Sequence, residues 1–382
     1  MNEKTMGVYV HIPFCTTRCD YCDFYSTEGL GAPQQGQYVS SLLHEWECYA
    51  ACGIRNDWRI ETLYIGGGTP TVLVPAHLER LLDGLMERFE TSHLQEFTVE
   101  ANPGTLTEEK LKILRDHGCD RLSLGVQSFD PFYLKWLGRS HDVQAVYDSW
   151  AMARRMGWDN LSLDLMYGLQ DQTLDHWRQT LQQAIELQPE HLSLYQLNIE
   201  PGTPMAERVA RGEAHTVDEE TARQQYLLAR EVLLAAGYGH YEISNYAKPG
   251  KHSRHNTLYW KNQEYVGMGA GASGYINRVR YTNHKDLTLY TRMIKRNRVP
   301  RAFEETIDRE LQKKETILLG LRLTEGVDKK AYQQCFGRSL EEDFGAVIRK
   351  HEAQGLMENR EDTLRLTLEG LLLSNEILLD FF

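Results

Sequence analysis

Apolar runs alternate with amphipathic stretches along the first two-thirds of the chain. The runs predicted as strands are Val8–Ile12, Glu61–Ile65, Glu96–Glu100, Arg121–Val126, Leu161–Met166 and Leu192–Leu197. Between them, apolar side chains recur at helical spacing. The predicted helices are His77–Phe89, Glu108–His117, Val143–Met156 and Leu174–Leu187. This alternation predicts an α/β fold with a parallel sheet, arranged either as a doubly wound sheet or as an incomplete barrel.

The sequence indicates where the predicted helix Glu108–His117 begins and ends. Thr107 directly precedes the acidic first turn that begins at Glu108, and threonine side chains commonly accept a hydrogen bond from the first turn of a helix. Gly118 follows the last helical residue, where glycine commonly terminates a helix in a left-handed conformation. We therefore expect a helix that begins after Thr107 and ends just before Gly118.

Beyond about residue 300 the pattern changes to helices with one short hairpin. The predicted helices are Glu304–Leu321, Lys329–Phe336, Leu340–Glu352 and Glu369–Leu379, and the hairpin pairs residues 355–359 with 363–367. This combination predicts a small α+β domain that resembles a winged helix. We therefore divide the chain into a core domain over 1–240, a connecting segment over 241–300 and a C-terminal domain over 301–382.

Polar residues suited to binding or catalysis follow the predicted strands directly. They include Gly66-Gly67-Gly68-Thr69, Glu100, Gln127, Asp164, Tyr195 and Asn198. The carboxyl ends of parallel strands in a barrel form one rim, and active sites lie there. Three consecutive glycines would let the backbone bend and approach a ligand closely, although a tight turn alone would also explain them. We expect these residues to gather at one end of the sheet.

Three of the seven cysteines, Cys15, Cys19 and Cys22, lie within eight residues after the first predicted strand. Cysteines this close usually hold a metal or a cluster. A structural zinc ion would need a fourth ligand from elsewhere, such as a distant histidine. Three thiolates on a [4Fe-4S] cluster would instead leave one iron open to an exchangeable ligand. Three unpaired thiols remain the plainest alternative.

Composition and charge narrow the class of protein. Of 382 residues, 25% are charged and 41% hydrophobic, as in ordinary soluble proteins, and no apolar run is long enough to span a membrane. The N-terminal residues Met1–Thr5 lack a signal-peptide apolar region, so we expect a cytoplasmic protein. The net charge is −12, and residues 303–382 carry 17 acidic and 11 basic side chains. We expect no nucleic-acid partner, because binding phosphates requires positive charge.

The spacing CxxxCxxC after a strand, followed by the glycine run, resembles the radical S-adenosylmethionine (SAM) superfamily. The resemblance implies a partial (β/α)6 barrel and a [4Fe-4S] cluster on Cys15, Cys19 and Cys22. It also implies SAM bound at the open iron and at the barrel rim. The cofactor contacts that it implies are Tyr9, Tyr21, Gly66, Gly67, Gly68, Thr69, Glu100, Gln127, Arg139, Asp164, Tyr195 and Asn198. In the superfamily the glycine backbone binds the methionine amino group, and Arg139 would suit its carboxylate and Asp164 the ribose.

Longer motifs resemble the coproporphyrinogen dehydrogenase-like branch, which holds oxygen-independent coproporphyrinogen III oxidases and the HemW family of heme chaperones. They span residues 9–15, 66–70, 100–104, 125–128 and 164–169. The oxidases carry a further cysteine two positions after the third, where this chain has Phe24, and an N-terminal extension for which the position of Cys15 leaves no room. A departure from the branch is Gln170, where its members often have proline after Gly-Leu.

His255-Asn256-Thr257-Leu258-Tyr259-Trp260 fits the HNxxYW motif of the HemW family. The resemblance implies heme held through His255, with His252 a weaker candidate for a second ligand. Imidazole binds heme iron well, and aromatic rings offer flat apolar faces to a porphyrin. Without the resemblance, His255 could as readily be a hydrogen-bonded core histidine.

The resemblance therefore implies a heme chaperone that passes heme to an acceptor protein, for example a respiratory enzyme, and that needs an electron donor to reduce its cluster. The main alternative is a radical SAM enzyme that acts on a porphyrinogen, and Phe24 argues against it. A radical SAM modifier of tRNA and an iron–sulfur protein without SAM chemistry are further alternatives.

Overall fold

The computed structural model describes residues 4–51 and 58–382. Cys52 lies outside this part of the chain, as do residues 1–3 of the N-terminus, for which the sequence predicts no signal peptide. In chain order the strands of the first half are β1 (Lys4–Ile12), β2 (Phe14–Cys15), β3 (Thr27–Glu28), β4 (Trp58–Gly67), β5 (Glu96–Ala101), β6 (Arg121–Gln127), β7 (Leu161–Tyr167) and β8 (His191–Gln196). The later strands are β9 (Gly239–Glu242), β10 (Asn245–Ala247), β11 (Tyr265–Met268), β12 (Ser273–Ile276), β13 (Val279–Asn283), β14 (Arg301–Thr306), β15 (Val327–Asp328), β16 (Met357–Asn359) and β17 (Thr363–Leu366).

The helices connect these strands and cover the sheet. They are α1 (Ala32–Ala51), α2 (Pro75–Arg88), α3 (Glu108–Asp116), α4 (Pro131–Trp136), α5 (Val143–Arg155), α6 (Leu174–Glu186), α7 (Pro204–Ala210), α8 (Glu219–Ala235), α9 (Arg254–Trp260), α10 (Leu287–Ile294), α11 (Arg309–Gly320), α12 (Lys329–Phe336), α13 (Leu340–Ala353), α14 (Leu368–Leu372) and α15 (Ser374–Leu379). None of the helices in the described ranges is both long and apolar enough to cross a membrane.

Six strands form the parallel centre of the fold, in the order β1-β4-β5-β6-β7-β8. Each is followed by a helical segment before the next, which confirms the predicted α/β alternation. The sheet remains open, because β10 and β9 extend it beyond β8 and β11, β12, β13 and β14 extend it beyond β1. The fold is therefore a partial barrel with an added edge on each side.

The ends of α3 agree with the sequence prediction. The Thr107 side chain accepts a hydrogen bond from the backbone N–H of Lys110 at 3.2 Å and so caps the first turn. Gly118 has a φ of +81°, the left-handed conformation that ends helices and that glycine adopts without strain. Local sequence chemistry was enough to predict both ends.

The segment 241–300, predicted as a connection, contributes strands β10 to β13 to the main sheet. Strand β11 pairs in parallel with β1, so the segment is built into the barrel wall. These strands have only three to five residues, too short for their alternation of apolar and polar residues to be recognised in the sequence.

The C-terminal part forms its own apolar core around Ile317, Tyr332, Ile348 and Leu364. Helices α11, α12 and α13 pack with the three-stranded sheet β15-β17-β16, an arrangement that resembles a winged helix. Two details of the prediction were wrong. Arg301–Thr306 is strand β14 rather than helix, because Asp308 caps α11 only from Arg309 onward. The last predicted helix is interrupted at Leu373, where α14 ends and α15 begins.

Candidate functional site

The loop that carries the three cysteines is fixed at both ends and at its middle. Cys15 ends β2, which pairs with β3 and closes the loop. The backbone N–H of Asp20 donates to the carbonyl of Leu137 at 3.1 Å, and Arg208 donates to the Asp20 carboxylate at 2.8 Å. Gly138 has a φ of +71°, and a Cβ there would lie 2.8 Å from Asp20 Oδ1. A glycine is therefore needed where the loop meets the barrel.

The cysteine loop and the carboxyl ends of the strands enclose a cavity of about 390 Å³. All three cysteines line it. Of the predicted cofactor contacts, those that also line it are Tyr21, Gly67, Gly68, Glu100, Gln127, Arg139, Asp164, Tyr195 and Asn198. Each of the central strands β4 to β8 contributes at least one of them. The fold thus brings most of the predicted site residues to one end of the barrel, as expected for parallel strands.

The three thiols of the cysteine loop share the wall of the cavity. Among the residues that the structure describes, no three His, Cys, Asp or Glu side chains are arranged to hold a single metal ion. Burial raises the pKa of the Cys15 thiol, and it raises the pKa of Cys22 to about 11. Binding of a cluster would therefore release protons, because metal ligands must be thiolates.

Arg139 supplies positive charge beside the cysteines. Its Nη1 donates to Cys19 Sγ at 3.2 Å, and its Nη2 donates to Asn102 Oδ1 at 2.7 Å and to the carbonyl of Gly125 at 2.5 Å. Its Nε is buried and finds no partner within the described ranges, so the guanidinium keeps one donor unused. A guanidinium on the cavity wall beside Cys19 fits a site for a thiolate-bound cluster and a carboxylate ligand.

Asn102 and Gly125 hold this guanidinium in place. A Cβ on Gly125 would lie 2.7 Å from Asn102 Oδ1 and 3.4 Å from Arg139 Nη2. The pairing of β6 with β7 shifts register between Gly125 and Gln127, and Gln127 has a φ of +67°. The resulting bulge brings the Gln127 side chain to the cavity wall.

Glu100 lies on the cavity wall at the end of β5, and both of its oxygens are hydrogen-bonded. Oε1 accepts from the Tyr64 hydroxyl at 2.6 Å, and Oε2 accepts from the backbone N–H of Gly67 at 3.0 Å. A Cβ on Gly66 would lie 2.7 Å from Glu100 Oε2, so the first two glycines permit this close approach. Burial raises the pKa of Glu100, against the two hydrogen bonds, which lower it.

Asp164 is a second acid in the cavity wall. Its carboxylate accepts a hydrogen bond from the Ser123 hydroxyl at 3.1 Å, and burial raises its pKa. Tyr195, with 43% of its surface exposed, and the exposed Asn198 form the outer wall. The cavity therefore offers acids, an amide and hydroxyl groups to a polar ligand, and a cation to its carboxylate.

Three predicted contacts lie beside the cavity rather than on its wall. Gly66 and Thr69 flank the two glycines that line it, and Thr69 accepts a hydrogen bond from Asn102 Nδ2 at 2.8 Å. Tyr9 lies inside the barrel, with its hydroxyl 2.9 Å from His11 Nδ1. Sequence reasoning did not single out Asn102, Ser123 and Met166, which also line the cavity. The positions of Asn102 and Met166 at strand ends were an available signal, whereas Ser123 lies within β6 and reaches the cavity beside Asp164.

His255 does not line this cavity and faces the interior. It is fully buried near the amino end of β4, where its Nδ1 lies 2.7 Å from the Thr62 hydroxyl and its Nε2 lies 2.7 Å from the Tyr259 hydroxyl. Burial lowers its pKa to about 3. The prediction that His255 presents an imidazole to heme is not met in this conformation, because neither ring nitrogen is free.

A second cavity, of about 350 Å³, opens at the amino ends of the strands beside α9. Its wall includes His252, Arg254 and Lys261, which are all exposed, together with Glu61 and Thr257. The His252 ring stacks on Tyr241 with centroids 4.2 Å apart and planes 8° apart. His252 is therefore the histidine of this segment whose ring reaches the surface.

The Radical SAM superfamily model matches residues 9–184, and the HemN C-terminal domain model matches residues 307–373. The fold is similar to coproporphyrinogen III oxidase (HemN) from Escherichia coli, a radical SAM enzyme, with a TM-score of 0.84. This similarity covers 99% of the chain and 90% of that protein at 22% identity. The cysteine loop, the partial barrel and these matches define a radical SAM protein, a class that implies a [4Fe-4S] cluster and SAM.

Sequence similarity identifies the family within this class. The chain is 40% identical to the heme chaperone HemW of Bacillus subtilis, over 97% of either chain. It is 37% identical to the heme chaperone HemW of Lactococcus lactis, over 99% of this chain and 97% of that one. The chain belongs to the HemW family of the radical SAM superfamily.

Proposed function

We propose that this protein is a heme chaperone that holds a [4Fe-4S] cluster, binds SAM and passes heme to an acceptor protein. The observation that carries the proposal is its 40% identity to a curated heme chaperone over 97% of both chains. The cavity supports the cofactor part of the proposal, since three cysteines and a set of ligand-binding polar groups share one wall.

Cys15, Cys19 and Cys22 would hold the cluster, which in this superfamily supplies an electron for cleavage of SAM. Arg139, fixed by Asn102, would offset thiolate charge and bind the carboxylate of SAM. Glu100 would accept a hydrogen bond from its amino group, and Asp164 would accept from ribose hydroxyls. The cysteine loop over the cavity would limit access of water. Reduction of the cluster would require an external electron donor.

Heme would bind at the segment that contains α9, with His252 as the exposed imidazole. Arg254 and Lys261 line the same cavity and could pair with the carboxylates of a porphyrin. His255 would remain an interior residue of this segment. An acceptor such as a respiratory apoprotein would take the heme from this exposed surface, and we propose that transfer occurs in the cytoplasm.

Coproporphyrinogen oxidation is the alternative function. Phe24 occupies the position where the oxidases carry an additional cysteine, and its ring lies at the cavity wall with 65% of its surface exposed. We propose that the chain lacks oxidase activity for this reason.

The test uses the full chain, reconstituted with iron and sulfide without oxygen. We expect one heme bound per chain, transfer of that heme to an apo-cytochrome, and no decarboxylated product from coproporphyrinogen III with SAM and a reductant. An oxidase assayed in parallel serves as the positive control. Product formed together with 5′-deoxyadenosine, or the absence of heme binding, would contradict the chaperone proposal.

A further inference from the structure

A continuous set of buried contacts joins the cavity wall to the segment at the opposite end of the barrel. Tyr64, in β4, donates its hydroxyl proton to Glu100 Oε1 at 2.6 Å. The ring of the same tyrosine stacks on His255, with centroids 5.1 Å apart and planes 27° apart. One side chain therefore contacts both a residue of the proposed SAM site and a residue of the HNxxYW segment.

The His255 ring is itself held on every side. Thr62 and Tyr259 occupy its two nitrogens, each at 2.7 Å. The Glu96 carboxylate accepts hydrogen bonds from the backbone N–H groups of His255, at 3.2 Å, and Arg254, at 2.7 Å. A rotation of the ring would leave the Thr62 and Tyr259 hydroxyls and both ring nitrogens without their partners, which is unfavourable inside the protein. The imidazole is a fixed surface against which the Tyr64 ring rests.

We propose that His255 and Tyr64 are positioning residues of the SAM site: His255 fixes the ring of Tyr64, and the Tyr64 hydroxyl orients the Glu100 carboxylate. The proposal rests on the proposed binding of SAM in the cavity. It explains why both ring nitrogens of His255 are hydrogen-bonded within the protein, although the HNxxYW motif is otherwise assigned to heme. It also gives the two ends of the barrel a direct physical connection.

The Tyr64 hydrogen bond also affects the charge of Glu100. Burial raises the pKa of this acid, and the hydrogen bonds from Tyr64 and Gly67 lower it. Other titratable groups also act on it. Those that face Glu100 from the neighbouring strands and from α9 are Tyr9, Arg121, Asp164, Tyr195 and Tyr259. Glu100 must be ionised to bind the charged amino group of SAM. Loss of the Tyr64 donor raises the pKa of Glu100, so SAM binds more weakly and binding is lost at a higher pH as the solution is acidified.

The first experiment uses Tyr64→Phe, which removes the hydroxyl and keeps the ring on His255. With the reconstituted chain, we expect the dissociation constant for SAM to rise roughly tenfold, the scale of one hydrogen bond to a charged group. As the pH is lowered, affinity should fall at a higher pH than in the wild type. Iron–sulfur absorbance should not change. A loss of folding alone would not move the pH midpoint of binding.

The second experiment uses His255→Ala, alone and combined with Tyr64→Phe. If His255 acts through Tyr64, the single change should weaken SAM binding roughly fivefold and the double variant should be little weaker than Tyr64→Phe, because coupled sites are not additive. The control pair is His240 in β9 and Tyr226 in α8: the Tyr226 hydroxyl lies 3.5 Å from His240 Nε2, and the His240 ring stacks on Tyr246 with centroids 4.4 Å apart. His240→Ala and Tyr226→Phe should leave the affinity for SAM within about twofold of the wild type.

The outcomes are distinguishable. If Tyr64→Phe binds SAM like the wild type at every pH, the proposal is wrong, whether or not His255→Ala folds. Lower heme stoichiometry in His255→Ala, with unchanged binding of SAM, would make His255 a heme residue and would also overturn it. Absence of SAM binding by the reconstituted wild type would refute the proposed SAM site itself, and the positioning role would fall with it.

Discussion

The two ends of the barrel carry similar residue types in opposite arrangements. At the carboxyl ends of the strands, Glu100, Asp164 and Arg139 line an open cavity that also holds the three cysteines. At the amino ends, His255 and Glu96 use their polar atoms on neighbouring groups inside the protein. The first set of polar side chains faces a space that a ligand can fill, whereas His255 and Glu96 stabilise the packing.

This difference shows that a motif identifies residue types but not the direction in which they point. The HNxxYW segment is amphipathic, and its histidine packs inward because Thr62, Tyr64 and Tyr259 surround it with matching groups. His252, three residues earlier and outside the helix, keeps its ring at the surface. The following predictions test whether the two ends differ in function as they differ in packing.

The largest effect is expected from Cys19→Ser at the cavity end. Three thiolates are the minimum set for the proposed cluster, so this change should abolish the iron–sulfur absorbance and, with it, binding of SAM at the open iron. Cys335→Ser is the matched control, because Cys335 is exposed and lies in the C-terminal part. Retention of the full [4Fe-4S] signal in Cys19→Ser would refute the assignment of the three cysteines.

A smaller effect is expected from Gly125→Ala, which acts on the same end without removing a ligand. The new methyl group would lie 2.7 Å from Asn102 Oδ1, so Asn102 and Arg139 must shift. We expect SAM to bind roughly tenfold more weakly, on the scale of one misplaced charge-assisted hydrogen bond, with the cluster retained. Gly239→Ala is the control, since its nearest contact would be an ordinary 3.6 Å. Equal affinities in both variants would show that the geometry of Arg139 is unimportant.

At the opposite end, His252→Ala should lower heme affinity several-fold and leave the cluster and the binding of SAM unchanged. His252 is exposed on the wall of a cavity of about 350 Å³ that Arg254 and Lys261 also line, so its ring is accessible to heme. Heme titration, followed by absorbance, measures the effect. Normal heme binding by His252→Ala, together with loss in His255→Ala, would mean that the α9 segment opens to bind heme.

The sequence allowed most of the cavity end to be predicted. The residues at this end follow strands, and parallel strands place their carboxyl ends on one rim, so Gly67, Glu100, Gln127 and Asp164 could be grouped without coordinates. The outcome at the other end depended on long-range packing. Whether His255 is buried depends on contacts with residues about 190 positions earlier in the chain, such as Thr62, and no local pattern reports them.

Dependence on long-range packing also explains what the sequence missed in the fold and in the site. Strands β10 to β13 are short, and they are stabilised by pairing with strands distant in sequence, as β11 is by β1. Asn102 was overlooked because its importance lies in its contact with Arg139, which is 37 residues away. Local patterns predicted elements and strand ends; tertiary contacts decided which polar groups became partners.

The smallest effect is expected from Thr62→Val, which removes one hydroxyl and nearly preserves shape. Thr62 lies 2.7 Å from His255 Nδ1 and is buried, so the change leaves that nitrogen without its partner. If His255 is an interior residue, the free energy of unfolding should fall by about 1–2 kcal/mol, as for other buried hydrogen bonds, and heme affinity should not change. Thr180→Val is the control, because it removes a buried hydroxyl that donates to the carbonyl of His176 within α6. If His255 instead leaves its site to bind heme, Thr62→Val should favour the open form and raise heme affinity.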